Sequence, residues 1–465
     1  MAMMDIDWTL RRVFGKKTFR GCQREIIEKV LEGRDVFVLL PTGHGKSLTY
    51  QLPAVCADHG TTVVVSPLIA LMHNQVDFLV SRSVNAVCLN GQTPSDERQR
   101  ILKDLTCGHP KTRLIYVTPE LCATETFRRH LAIVYAQFEL NRFVIDEAHC
   151  CVEWGHDFRR DYRLLSYFKE QFPRVPVMAL TATATEKVQR AIVRILRLPS
   201  PPQLAVFTTS VNRPNLHYEV RYFLDHDPDS LYDDLAGFLG PYYDRLRRKH
   251  GTAEYDALAA GRDGCGIVYC RQRATCEQVA ERLQQGGFGA RAFHAGLAAA
   301  VKDDVMRKWV VGSKGYEIVV ATTAFGMGVD KPDVRFVVHW DLPKTIEGFY
   351  QESGRAGRDN KACRVILFYS RYDRDRVRYL RDLKRQDRDV SASQGGEQTS
   401  FSSLVAYCEN DSQCRHRMLA AYFDRPAGVR AVPAPDFCAR ACDVCKDRAD
   451  VRRRKQALAD EPEDY

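Results

Sequence analysis

The sequence predicts an α/β protein: two tandem parallel-sheet domains followed by a small helical module that carries clustered cysteines. Three observations predict it. Short apolar runs alternate with longer segments of helical period, the pattern of parallel strands covered by helices. Each run ends abruptly in polar, Gly, Pro or acidic residues, and Cys414, Cys438, Cys442 and Cys445 gather after the second series of runs. The chain has 465 residues, 45% of them hydrophobic and 27% charged, enough for about three domains with buried cores.

In the first series the predicted strands are Val36 to Leu40, Thr62 to Val65, Leu114 to Val117, Phe143 to Ile145 and Val177 to Leu180. The prolines of Leu198-Pro199-Ser200-Pro201-Pro202 stop a helix, and Asn212-Arg213-Pro214-Asn215 is turn-rich, which puts a domain boundary near residue 210. A second series follows at Ile267 to Tyr269, Ala290 to His294, Ile318 to Ala321, Phe336 to His339 and Val365 to Tyr369. Before it, Asp225 to Gly264 reads as partly helical with a loop. After it, Arg371 to Arg388 reads as a solvated helix, Ser391 to Ser400 as a polar linker, and the cysteine module extends to about residue 448. The charged remainder, residues 449–465, reads as a disordered tail. The expected domains are therefore residues 1–210, 211–370 and 371–448, then the tail.

Composition excludes some classes. Apolar runs are too short to cross a bilayer, and Asp5 and Asp7 stand where a secretory signal would be basic and apolar. Sixteen cysteines without such a signal suggest reduced thiols or a metal site inside the cell. A formal charge of +9 permits a polyanionic partner without proving one.

Ligands of open α/β sheets bind beyond the carboxyl ends of the strands. There, the first run leads into Pro41-Thr42-Gly43-His44-Gly45-Lys46-Ser47 and a helix-compatible segment. Such a loop cradles phosphates on backbone N–H groups, with Lys46 reaching terminal phosphates and the Ser47 hydroxyl ligating Mg²⁺. Leu40 stands where the full motif has its first glycine. At the tip of another run, Asp146-Glu147-Ala148-His149 supplies a metal-binding carboxylate, Asp146, and one that polarises a water, Glu147. In the second domain, Gln351 precedes Arg355 and Arg358, whose three-residue spacing puts both on one face of a helix. Such guanidinium groups stabilise charge developing on a transferred phosphoryl group. Between Asp146 and Thr181, a loop mixes Trp154 and Phe158 with His156 and Arg159. Aromatics stack on bases and Arg meets phosphate, although the same rings could simply plug the sheet. Four thiolates from Cys414, Cys438, Cys442 and Cys445 suit a closed, structural Zn²⁺ site, with Cys408 and His416 as competing ligands.

Taken in order, these pieces resemble the superfamily-two helicases, and specifically the RecQ family. The likeness runs from about residue 8 to 447 and includes Phe14-Gly15, Phe19-Arg20 and Gln23, Ser66 to Met72, Thr118-Pro119-Glu120, Trp154 to Arg159, Thr181 to Ala184, His294-Ala295-Gly296, Ala321 to Asp330 and Gln351 to Arg358. It implies two RecA-like lobes, ATP hydrolysis with Mg²⁺, and 3′ to 5′ movement on DNA. It also implies unwinding of single-strand-tailed, forked or branched duplexes in repair, recombination or replication.

By the same likeness Arg20 and Gln23 contact adenine, residues 42–47 hold the triphosphate, and Trp154, His156, Phe158 and Arg159 sense DNA. Cys414 matches the first zinc cysteine better than Cys408. Lys16, His44 and Glu153 depart from residues more usual in the family. The pattern is closest to the branch similar to the human RecQ-five protein, whose core ends just after the zinc module. That branch implies a nuclear protein, and a monomer is the expected functional form. A strand-annealing scaffold that uses nucleotide only as a switch is the rival reading, because no strand-separating wedge is identifiable.

Overall fold

The computed structural model describes residues 5–152, 159–250, 264–326, 331–386, 394–423 and 437–456. The chain forms two compact units, Met1–Ser210 and Val211–Tyr465.

The first unit is built on strands β1 (Asp35–Leu39), β2 (Thr61–Val65), β3 (Ala86–Leu89), β4 (Leu114–Val117), β5 (Leu140–Ile145), β6 (Val177–Thr181) and β7 (Leu204–Thr208). They pair in parallel in the order β3-β4-β2-β5-β6-β1-β7. Side chains alternate across a strand, so the same strands feed two cores. Phe37, Leu39, Val63, Val65, Ile115, Phe143 and Ile145 pack on one face; Val36, Val38, Val64, Leu114, Tyr116, Val144 and Leu180 pack on the other. Burial on both faces is why these strands read as unbroken apolar runs.

The second unit has β8 (Leu216–Tyr222), β9 (Gly266–Tyr269), β10 (Ala290–Phe293), β11 (Ile318–Ala321), β12 (Phe336–His339) and β13 (Cys363–Tyr369), parallel and ordered β10-β11-β9-β12-β13-β8. Its two faces bury separate apolar clusters. The cysteine module packs into one of these cores through Leu404, Tyr407, Leu419, Phe423, Val444 and Val451, and a backbone bridge pairs Cys442 with Tyr218 of β8.

Several local expectations change. Three strands, β3, β7 and β8, were not expected. All three lie at sheet edges; β7 and β8 also alternate buried with more exposed residues, so they lack the continuous apolar signal. Among the described residues of 225–264 there is one long helix, Pro228–His250, buried through Leu231, Leu235, Leu239 and Tyr243; the loop expected after it lies outside the described residues. The polar linker expected at 391–400 is corrected: a helix, Gln394–Cys408, already starts within it, and the Ser400 hydroxyl bonds to Glu347. The disordered tail is corrected at its start, where Arg448–Gln456 is helical because Val451 is fully buried.

Candidate nucleotide-binding site and zinc centre

The phosphate loop of the first unit follows β1. Gly43 and Gly45 have φ of +83° and +74°, a region that other residues adopt at a cost. A side chain at Gly45 would also meet the Gln23 amide nitrogen at 2.4 Å. Gln23 is buried and fully engaged: its Nε2 donates to the His44 carbonyl at 3.0 Å and the Gly45 carbonyl at 3.1 Å, and its Oε1 accepts from the Arg20 N–H at 2.8 Å. Arg20 itself is exposed. Ser47 begins the helix Leu48–Cys56. Lys46 Nζ donates to the carbonyl of Leu40 at 3.0 Å. The Thr42 hydroxyl is buried with no hydrogen-bond partner among the described residues. An orphaned hydroxyl and a lysine resting on a backbone carbonyl are what a loop built for phosphate oxygens leaves behind.

The acidic pair caps β5. Asp146 is half-buried, and the desolvation of its carboxyl pushes it well above the usual carboxylate range; the nearby Glu147 adds to the rise, and the Lys46 charge opposes it. A carboxylate so placed gains from a cation. Glu147 holds φ of +50°, strained for a non-glycine residue and of the kind that concentrates at functional sites. Its N–H donates to Asp146 Oδ1 at 3.0 Å, and its carboxylate lies 3.4 Å from His149 Nδ1. His149 in turn sits 2.9 Å from the Thr181 hydroxyl at the end of β6, tying the acidic box to the neighbouring strand. Tyr162 was not singled out in the sequence, yet its hydroxyl donates to the Asp146 carbonyl at 2.9 Å.

Arg159 is anchored by its guanidinium on the Pro67 carbonyl at 2.9 Å. Trp154, His156 and Phe158, expected to sense DNA, lie outside the described residues.

In the second unit, Gln351 lies on the helix Ile346–Ser353, which Gly354 terminates. The expected helical pairing of Arg355 and Arg358 is therefore corrected: both lie in the turn beyond it, where Gly357 takes φ of +58°, outside the helical region. Arg355 is buried beside Tyr269, whose hydroxyl is pushed up by burial and drawn down by that guanidinium. Arg213, read in the sequence only as part of a boundary turn, is buried beneath this turn and donates to the Gly354 and Gly357 carbonyls.

The Sγ atoms of Cys414, Cys438, Cys442 and Cys445 lie within 4.8 Å of one another. Tetrahedral Zn²⁺ with bonds near 2.3 Å places sulfurs roughly 3.8 Å apart, so the four fit it. Hydrogen bonds from the Cys438 and Cys442 thiols pull the Cys414 thiol well below its usual range, and the Cys445 N–H donates to Cys442 Sγ at 3.3 Å. The competing ligands are excluded by geometry. His416 uses Nδ1 on Asn212 at 2.8 Å and Nε2 on the Ala441 carbonyl at 2.9 Å, and Cys408 is not in the cluster. Beside the cluster, buried Arg415 meets Asp443 through two hydrogen bonds of 2.7 and 3.0 Å. Asp443 also accepts the Val220 N–H of β8 at 3.0 Å, locking the module to the sheet.

Two parallel sheets, a phosphate loop with an acidic box, and a four-cysteine module together define a helicase core with an appended zinc-binding module. Residues 20–191 match the DEAD/DEAH box helicase family, residues 252–360 the helicase conserved C-terminal domain and residues 371–446 the RecQ zinc-binding domain. The chain is 42% identical over 456 residues to the ATP-dependent DNA helicase Q5 of Rattus norvegicus, covering 97% of this chain and 44% of that protein. It is 40% identical over 449 residues to the RecQ-like DNA helicase BLM of Xenopus laevis, covering 95% of this chain and 30% of that one. The chain belongs to the RecQ helicase family, and it spans less than half the length of these two relatives. Its fold is also similar to the DUF1998 helicase MrfA bound to DNA, with a TM-score of 0.60 at 16% identity over 82% of this chain and 53% of that one. Mycobacterium smegmatis helicase Lhr, bound to ssDNA and AMP-PNP, gives 0.57 at 17% identity over 86% and 57%.

Proposed function

We propose that this chain is an ATP-dependent 3′ to 5′ DNA helicase that couples hydrolysis to single-strand translocation and duplex unwinding in repair or recombination. The observation that carries this is that the phosphate loop after β1 and the acidic box after β5 leave the carboxyl ends of strands in one parallel sheet of the first unit. Lys46 leaves its backbone carbonyl for the terminal phosphates, and the Thr42 hydroxyl and loop N–H groups take the remaining oxygens. Ser47 and Asp146 would hold Mg²⁺, which neutralises phosphate charge when bound. Glu147, beside His149, orients the attacking water and accepts its proton. Gln23 braces the loop through its bonds to residues 44 and 45, and the second lone pair of its amide oxygen, which already accepts the Arg20 N–H, takes the adenine amino group. Arg355 and Arg358 supply positive charge to the γ-phosphate as it departs, and Gln351 helps align it. The residues 154–159 couple single-stranded DNA to turnover, and the zinc site is structural, contributing folding free energy.

We place its substrates among tailed, forked and branched DNA and its work in the nucleus, as a monomer. The rival reading is a nucleotide-switched scaffold that anneals strands. A forked-duplex assay run beside ATP hydrolysis separates the two: strand separation that fails in Lys46→Ala supports the motor, and hydrolysis without separation supports the scaffold.

A further inference from the structure

The turn carrying Arg355 and Arg358 is held from below by a residue far away in sequence. Arg213 is only 3% exposed. Its Nη1 donates to the Gly354 carbonyl at 2.8 Å and its Nη2 to the Gly357 carbonyl at 2.6 Å. One planar guanidinium therefore spans both ends of the peptide that carries Arg355, and the second of those carbonyls belongs to the residue just before Arg358. Asn215 adds to the same clamp, donating from Nδ2 to the carbonyls of Gly357 and Lys361 at 3.0 Å each. Gly357 has φ of +58°, and a Cβ there would meet the Asn215 amide at 2.5 Å, so the turn is packed directly onto the clamp. The turn is also tied to the sheet side, with the Gly357 N–H on the Val334 carbonyl at 2.9 Å. By contrast, Nε of Arg355 is buried without a partner among the described residues. Its guanidinium lies against the Tyr269 hydroxyl, and the clamped backbone beneath it sets where that side chain starts.

A buried cation whose two outer nitrogens serve carbonyls, with no carboxylate against it among the described residues, is costly to keep. Its geometry is spent on the conformation of this turn. We infer that Arg213, assisted by Asn215, is a positioning residue that fixes the direction of Arg355 and Arg358 for phosphoryl transfer. The inference rests on the role proposed above for those two arginines. Lysine cannot reproduce it, because an ammonium is a point donor and cannot hold two carbonyls in a fixed fork.

The test uses the full chain with saturating single-stranded DNA, comparing wild type, Arg213→Ala, Arg213→Lys, Asn215→Ala and the Arg355→Ala/Arg358→Ala pair with and without Arg213→Ala. Misplacing a transition-state group costs rate without ground-state affinity. Arg213→Ala should therefore lower kcat by about tenfold to a hundredfold while KM for ATP moves less than about threefold. Affinity for ADP with aluminium fluoride should fall by a similar factor while affinity for ADP alone holds, and Arg213→Lys should recover only part of the loss. In the Arg355→Ala/Arg358→Ala background, adding Arg213→Ala should cost no more than about twofold, because residues acting as one unit are not additive.

Zinc content and thermal unfolding monitor folding. Should Arg213→Ala fail to fold, Asn215→Ala carries the same test with a smaller kcat loss at constant KM. A folded Arg213→Ala that turns over like wild type, or penalties that multiply with those of the arginine pair, overturns the inference. Full turnover in the Arg355→Ala/Arg358→Ala variant instead removes the arginine role on which it rests, and that outcome is distinguishable because it does not involve Arg213.

Discussion

Replacing Asp443 with alanine is the sharpest stability test of how the zinc module is joined to its sheet. Arg415 is fully buried and Asp443 nearly so, with side-chain exposures of 0% and 4%. The Asp443 carboxylate accepts two hydrogen bonds from Arg415, one from the Val220 N–H and one from the Val444 N–H. Burial alone would lower the Arg415 pKa, yet the Asp443 carboxylate carries it above the ordinary arginine value. Truncating the acid strands a desolvated guanidinium and frees a strand N–H of β8. Removing one partner of a buried pair costs about 3–5 kcal/mol. At about 2–4 °C per kcal/mol for a domain of this size, that is a fall in Tm of about 6–20 °C.

The assay is thermal unfolding of the zinc-loaded chain, with hydrogen exchange at β8 to localise the loss. The double variant Arg415→Met/Asp443→Leu removes both charges and should return the part of the stability lost to the stranded guanidinium, while the Val220 N–H stays unpaired at a cost of about 1–3 kcal/mol. A Tm for Asp443→Ala within about 2 °C of wild type would refute the reasoning, since the carboxylate could not then be compensating a buried charge.

Three further outcomes follow from the two sites. Lys46→Ala should reduce DNA-stimulated ATP hydrolysis by at least about a hundredfold while leaving Tm within about 2 °C, because Lys46 sits on backbone carbonyls and not in a core; normal turnover would remove it from the site. Cys442→Ser, or a strong chelator, should release zinc and destabilise the module before it alters nucleotide affinity in the first unit, as followed by metal content, unfolding and nucleotide titration; a zinc-free chain of unchanged stability would contradict this. Trp154→Ala should leave basal ATP hydrolysis near wild type and abolish its stimulation by single strands, and unchanged stimulation would defeat the DNA-sensing assignment of that loop.

The central strands were legible because burial on both faces writes an apolar run: Val36, Phe37, Val38 and Leu39 divide between two cores. The edge strand Leu216–Tyr222 was not, since His217, Glu219 and Arg221 interrupt it on its less buried side. The phosphate loop and acidic box were legible because their chemistry is local in sequence. What was not legible depended on contacts far apart. Arg213 meets Gly354 across 141 positions, and nothing in Asn212-Arg213-Pro214-Asn215 distinguishes a clamp from a turn. The placement of Arg355 and Arg358 could have been read better, because Ser353-Gly354 is a helix-stop signal. For the zinc ligands, spacing alone left Cys408 and His416 open. Only the two hydrogen bonds of the His416 ring and the position of Cys408 outside the sulfur cluster decide it.

The most direct test of the motor is strand separation by the wild-type chain and Glu147→Gln on forks with a 3′ or a 5′ tail, with ATP consumption measured in the same reaction. The wild type should open the 3′-tailed fork only when ATP is consumed, and Glu147→Gln should bind nucleotide yet neither hydrolyse nor unwind. Separation by Glu147→Gln, or wild-type hydrolysis that leaves every fork intact, would contradict it.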